Sequence, residues 1–459
     1  MDAASLVSAW NGLILQLALA FATGQTARTW QQIALGWVLH RGAATVTGIF
    51  RTLGSLADRH WTVYQKFFYR AAWTLDALST ALVARVVLPM ILESGVIDPA
   101  SGQPVADLAL DDTTAARYGR HVAHAGWFKD ASATGPATQG TVIHWAHNWI
   151  VGAVTLRLPR WPLMRWVLPV VFCLYRKPAD CDRRHPFATR QVLAARMVVQ
   201  VAEALPGVRL RVAADGQYAA RDLVTGLPSG VSLVSRIRSD AALYALPPVR
   251  RRPGQRGRNP KKGKRLPTPR QMAARRTQGW KRVTLLRQGR TIERLVLGIT
   301  CLWYHVCKEV PIRLVIVRDP AGREKDDFFF CTDAAVPDAE IAQRACDRWG
   351  VEECIQEAKQ QLGFENTRGW CSRTVHRQAP VAMALVTLVK AWYARWAATV
   401  PALAPESTPW YAKTRPSFAD MLAALRRVLW QHRISPKSTV SARVQQIVQT
   451  VAYALFAAA

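Results

Sequence analysis

The hydrophobic positions change texture several times along the chain. Over the first hundred residues apolar side chains recur at helical spacing, as in Trp30, Ile33, Ala34, Trp37 and Val38, and this predicts a helical N-terminal domain, residues 1–104. The apolar run Leu13 to Ala22, about ten residues long, falls short of the ~20 needed to span a bilayer and reads as a buried helix. After Ser101-Gly102-Gln103-Pro104, short apolar runs of strand length follow: Leu108 to Thr113, Trp149 to Leu156, and Trp166 to Cys173, the last interrupted by Pro169. A helical pattern from about Ala188 to Leu205 stops at Pro206-Gly207. Strands are expected again at Val208 to Ala214 and Val231 to Ile237. The order strand, strand, strand, helix, strand, helix, strand predicts a mixed five-stranded α/β sheet with helices on both faces, occupying residues 105–246 and resuming at 337–400.

Between these parts, residues 247–336 form a basic insertion. Strand-like runs at Leu295 to Val306, Ile312 to Val317 and Phe328 to Thr332 make it β-containing. The remainder is helical, with breaks near Pro401 to Ser417 and Ile434 to Ser438, and residues 401–459 read as a helical C-terminal region.

Charge sharpens this picture. The 459 residues carry a net +30, and more than half of the excess lies between Pro247 and Thr291, which contains no Asp or Glu. Arg250, Arg251, Arg252, Lys261, Lys262, Lys264 and Arg265 dominate that stretch. Such a field attracts polyanions, nucleic acid foremost. The eight cysteines show no Cys-x-x-Cys spacing and read as reduced thiols in a cytoplasm. His121, His124, His144 and His147 have helix-friendly spacings but no carboxylate or cysteine ligand nearby in sequence, so zinc is not expected. Gly226 to Gly230 lacks the Lys-Ser/Thr ending of a phosphate loop and reads as a turn. The segment His60 to Arg70 mixes aromatic and basic groups that suit either core packing or DNA.

Candidate chemistry concentrates in Cys346 to Lys359. On a helix, Arg348, Glu352 and Lys359 fall within a face roughly 60° wide, whereas Glu353 and Glu357 point away. A surface ion-pair ladder would show the same spacing. The stretch nevertheless resembles the Tyr-Arg-Glu-Lys signature of DDE transposases from bacterial insertion sequences, with Ala345 at the tyrosine position. Leu110-Asp111-Asp112-Thr113 is similar to the family's first aspartate motif and matches it at Asp112; strand parity sets Asp112 with Leu108 and Leu110, and Asp111 opposite. Val212 to Tyr218 is similar to the second aspartate motif, at Asp215.

The resemblance implies an RNase H-like core in which Asp112, Asp215 and Glu352 are catalytic and bind two Mg2+ ions, with Mn2+ able to substitute. Three ionised carboxylates repel one another unless divalent cations neutralise them, and hard oxygen ligands suit those ions. Arg348 and Lys359 would hold DNA phosphates. Phe328 stands near the place where relatives carry a base-stacking aromatic, with Trp280 and Trp303 as rivals and an apolar strand residue as the plain alternative. The implied activity is cut-and-paste transposition, with transposon-end inverted repeats and target DNA as partners, a homodimer on paired ends, no membrane, and a cytoplasmic, nucleoid-associated location. A repurposed DNA-binding protein without activity, or an RNase H-like nuclease without strand transfer, would share these features. The N-terminal helices, around Arg51 to Arg70, are expected to recognise the ends.

Overall fold

The computed structural model describes residues 2–130, 133–134, 140–248, 258–407, 409–410, 412–434, and 447, 450, 451 and 455. Six helices open the chain: α1 (Ala3–Gln16), α2 (Gly24–Leu39), α3 (Val46–Leu53), α4 (Trp61–Tyr69), α5 (Leu75–Ala81) and α6 (Leu88–Ser94). Side-chain caps start several of them. Asp2, Thr23, Thr45 and Thr74 each accept a hydrogen bond from a first-turn N–H that has no partner within the helix. Two helical stretches here, Ala3–Ala20 and Leu75–Ser94, are long and apolar enough to cross a membrane by length and composition. In the first, Trp10, Ile14 and Leu17 are buried inside the protein, whereas Leu15 and Leu19 are exposed.

Among the described residues ten strands follow: β1 (Val105–Ala116), β2 (Gly126–Lys129), β3 (Ile143–Leu156), β4 (Trp166–Tyr175), β5 (Arg209–Ala214), β6 (Ser232–Arg236), β7 (Lys281–Arg287), β8 (Arg290–Leu302), β9 (Pro311–Arg318) and β10 (Asp327–Cys331). Between and after them come α7 (Arg190–Ala204), α8 (Arg221–Gly226), α9 (Pro269–Arg275), α10 (Tyr304–Cys307), α11 (Asp338–Arg348), α12 (Gly350–Leu362), α13 (Ser372–Trp396) and α14 (Phe418–Ile434). All ten strands join one sheet, in the order β2-β3-β1-β5-β6-β10-β9-β8-β7, with β4 also paired to β3. The expectation of a five-stranded sheet is therefore too small. The insertion continues the sheet through antiparallel pairing of β10 with β6, so its strands and those of the first part are hydrogen-bonded neighbours.

Pro169 fits β4 because the strand pairs on one side only, and the register with β3 shifts by a bulge between Gly152 and Ala153, where a missing N–H is tolerated. Helices cover both faces. Along β1, Asp107 is tied through Arg211 to Glu340 of α11, whereas Asp112 lies within 3.7 Å of Arg190 at the start of α7.

The N-terminal helices share one continuous buried cluster with the sheet, α12, α13 and α14. Trp37 donates to the Leu362 carbonyl, Trp392 to that of Leu6, and the buried Arg377 to that of Phe68. In α4 the aromatic and basic mixture resolves into buried Tyr64, Phe67 and Phe68, with Trp61 and Tyr69 exposed. Helix α13 is apolar nearly all round and buried from Val375 to Ala394, as a central helix must be. All eight cysteines are unpaired.

Candidate active site

Parallel pairing brings the aspartates together. The β1–β5 register ends at Leu110 opposite Ala214, so Asp215, the first residue past β5, comes beside Asp111, which stays in β1 and goes on pairing with β3. The carboxyl ends of parallel strands are the usual place for a site in an α/β sheet. Pleating sends Asp111 and Asp112 to opposite faces. Asp112 accepts from Asn148 Nδ2 at 2.8 Å and from the Gln217 side chain, and Arg190 stands near it. Asp111 turns to the other face, where Arg348 Nη1 meets it at 2.9 Å. Among the described residues, the Asp215 carboxylate has no hydrogen-bond or ion-pair partner.

The third carboxylate comes from α12. Val351, Cys354, Ile355, Ala358 and Leu362 form its buried stripe. Gly350 lets its first turn approach β4, where a Cβ would lie 2.5 Å from Val167, and Gly363 ends it in a left-handed conformation at φ 64°. A single turn residue, Trp349, separates α11 from α12, and the i, i+4 pairing survives: Arg348 Nη2 reaches Glu352 Oε1 at 3.0 Å. Arg348 thus bridges Asp111 and Glu352. Lys359 reaches the other end of the same stretch of β1, donating to the Thr114 carbonyl at 2.8 Å and pairing with Glu365 at 2.7 Å. Glu353 and Glu357 lie off this stripe, paired with Arg165 at 2.8 Å and Lys390 at 2.5 Å.

Burial drives the electrostatics. It pushes the Asp111 carboxyl up to about 7 against the pull of Arg348, and the nearby charges of Glu352 and Asp112 add to the rise. The buried Tyr218 hydroxyl has no hydrogen-bond partner, and its ionisation is held well above the ordinary value by burial and then by Asp112, Asp111 and Asp215. One side chain therefore senses all three aspartates. Among the described residues, no three His, Cys, Asp or Glu side chains are gathered closely enough to hold a metal ion. The donor chemistry nonetheless suits a hard divalent cation: the groups are carboxylates, and burial with neighbouring carboxylates raises one of them despite Arg348. His147 is spent otherwise. It accepts from the buried Arg117 at 2.8 Å, and burial with that charge lowers it to about 3.

A cleft of about 180 Å3 opens beside Asp215, lined in part by Arg236, Arg287, Arg294, Arg348 and Trp349, and by Asp327 and Glu324, which pair with the first three arginines. Phe329 lines it too, whereas Phe328, one residue away, packs on the core. Trp303 is buried edge-on against Phe330, and Trp280 lies under Arg318. Arg250, Arg251 and Arg252 lie outside the described residues. Lys261, Lys262, Lys264 and Arg265 are exposed. Lys261 pairs with Glu309 at 2.6 Å, and Lys262 sits 4.0 Å from the Tyr244 ring.

Asp111, Asn148, Arg190, Gln217, Tyr218 and Trp349 are site residues that spacing alone did not single out. Gln217 and Tyr218 stand within the second aspartate motif and Trp349 within the helix motif, so position offered a signal. Asn148 and Arg190 gave none, because only the folded sheet brings them to Asp112.

Residues 19–292 match the family model described as DDE superfamily endonuclease, well over half of the chain. The protein belongs to this family of nucleases, which typically use divalent metal ions. The matched span includes most of the N-terminal helices and all three aspartates and ends before Glu352. No curated protein matches the chain.

Proposed function

We propose that this chain is a DNA transposase of the branch with the Tyr-Arg-Glu-Lys signature, cutting at transposon ends and joining the freed 3′ ends to target DNA. The observation that carries the reading is the meeting of β1 and the α12 stripe beside the end of β5: Arg348 bridges Asp111 and Glu352, Lys359 holds the Thr114 carbonyl, and Asp215 follows β5 next to Asp111. The order β4-β3-β1-β5-β6, antiparallel among the first three and parallel for β5 and β6, supports an RNase H-like core.

In this reading Asp215 and Glu352 would hold two Mg2+ or Mn2+ ions together with an aspartate of β1: the motif implies Asp112, whereas Asp111 is the one on the face that Arg348 and Glu352 share. The ions would supply an activated hydroxyl nucleophile and a stabilised leaving oxygen at the phosphodiester. The chain's own residues do the rest. Arg348 presents a bidentate fork and Lys359 a point charge to phosphates, on the same helical stripe as Glu352. Gln217 and Asn148 fix the rotamer of Asp112. The arginines of the cleft beside Asp215 would exchange their partners Asp327 and Glu324 for phosphates of the strand approaching the site, and Trp349 or Phe329 offers it a ring face. The partners are terminal inverted repeats and target DNA, bound by a homodimer that pairs two ends in the nucleoid.

The test is cleavage and joining of a duplex that carries the terminal inverted repeats flanking the gene, with Mg2+. Nicked ends and joined products support the reading. Cutting without joining would make the protein a nuclease alone, and binding without cutting a repurposed DNA-binding protein.

A further inference from the structure

We propose that the aromatic and basic face just beyond the end of β1 binds unpaired nucleobases of the DNA strand leaving the carboxylates. The inference rests on the nuclease reading for its choice of DNA. Two large rings stand out in solvent here: Tyr118 is 79% and Trp370 69% exposed. The Arg368 guanidinium lies 6.0 Å from the Tyr118 ring, and the Ala123 N–H donates to the Trp370 carbonyl at 2.9 Å, tying the two loops together. Beside Trp370 opens a cavity of about 570 Å3 that also takes in Tyr69, Phe68 and Gln65. Arg373 borders it, donating to the Tyr69 carbonyl at 3.3 Å.

This face is anchored to the catalytic stripe. Buried Arg117, the residue before Tyr118, donates to the Glu365 carbonyl at 2.7 Å and to His147, while Lys359 holds the Thr114 carbonyl. Tyr118 stands six residues past Asp112, ~20 Å at the rise of an extended strand, or about six stacked base steps.

Charge selects the occupant. No Asp or Glu occurs from Ala3 to Ala57, from Arg59 to Leu75, from Thr113 to Lys129, or from Asn366 to Pro405, the segments that build the face. A surface with cations, open ring faces and no carboxylate suits a polyanion carrying planar groups. Bases within a duplex already stack on one another, so the rings are useful to bases freed from pairing.

The test uses the full-length protein without metal and two labelled DNAs, one fully paired and one whose last six nucleotides are splayed, with 2-aminopurine in the splayed strand. Wild type should bind the splayed form more tightly and alter the 2-aminopurine fluorescence. Trp370→Ala and Tyr118→Ala should each weaken splayed binding roughly tenfold, leave paired binding unchanged, and abolish that signal, while Trp370→Phe retains it. Both positions are exposed, and circular dichroism checks folding. Equal binding of the two DNAs, or unchanged variants, would overturn the inference while leaving cleavage as the separate test of the function. Failure to bind either DNA would overturn both. Full displacement of the splayed strand by poly-glutamate, without any 2-aminopurine signal, would assign the face to an acidic protein instead.

Discussion

Replacing Lys390 by Met should destabilise the protein by about 3–5 kcal/mol at pH 8, the cost of leaving one member of a buried ion pair alone. Lys390 on α13 is 5% exposed; its Nζ lies 2.5 Å from Glu357 of α12 and donates to the Val167 carbonyl of β4 at 3.0 Å. This one ammonium therefore holds the helix that carries Glu352 against both its neighbours. Burial already raises the Glu357 carboxyl above 4.5, and Lys390 supplies the two influences that oppose the rise most strongly, its charge and its hydrogen bond. A carboxyl raised on folding binds its proton more tightly in the folded state, so its contribution is full at low pH and falls as pH rises. Without Lys390 that fall deepens. Urea unfolding followed by tryptophan fluorescence should show a loss at pH 5 smaller by at least about 1 kcal/mol than the loss at pH 8. Adding Glu357→Leu should recover most of it, because an apolar pair of similar volume leaves no buried charge. Equal losses at the two pH values, or a double variant as unstable as the summed single ones, would refute the reasoning.

Other consequences follow from the same structure. Asp111→Asn should flatten the decline in stability between pH 5 and 8 by ~1–3 kcal/mol in metal-free protein, since the wild-type carboxyl titrates near 7 when folded and the penalty grows as it ionises; urea midpoints across that range check it. Changing Lys261, Lys262, Lys264 and Arg265 together to Gln should weaken cognate and random DNA alike and flatten the salt slope by about 0.9 for each phosphate that is no longer neutralised, as read from binding at several salt concentrations. A chain lacking residues 1–101 should show no cooperative unfolding transition by calorimetry, because Trp10, Trp30, Trp37 and Phe67 belong to the same buried cluster as α13.

Much of this architecture was legible before folding. Strand-length apolar runs foretold β1, β3, β4, β5, β6, β8, β9 and β10, although the run over β8 extends to Val306, where the chain has turned into α10, and the spacing of Arg348, Glu352 and Lys359 foretold a stripe that does face the end of β1. What escaped was non-local. Strand β7, Lys281–Arg287, hid in the basic stretch because its apolar residues Val283, Leu285 and Leu286 are outnumbered by flanking cations. The union of insertion and first-part strands in one sheet depends on the edge of β6, which no local pattern describes. Parity along β1 correctly separated Asp111 from Asp112, yet it could not tell which face α12 would cover. Asp111 is the residue Arg348 meets, and Asp112 points toward Asn148 and Arg190. The helical period of the first hundred residues announced helices without announcing that their buried faces pack on α13.

The central claim is tested most directly by Mg2+-dependent cleavage of end DNA with Glu352→Gln beside Glu353→Gln. Each removes one charge from the first turn of α12, but Glu352 shares Arg348 with Asp111 whereas Glu353 pairs with Arg165. The account predicts that the Glu352 variant binds and folds like wild type and does not cut, while the Glu353 variant cuts. Substantial cutting by the Glu352 variant, or equal loss in both, would contradict it.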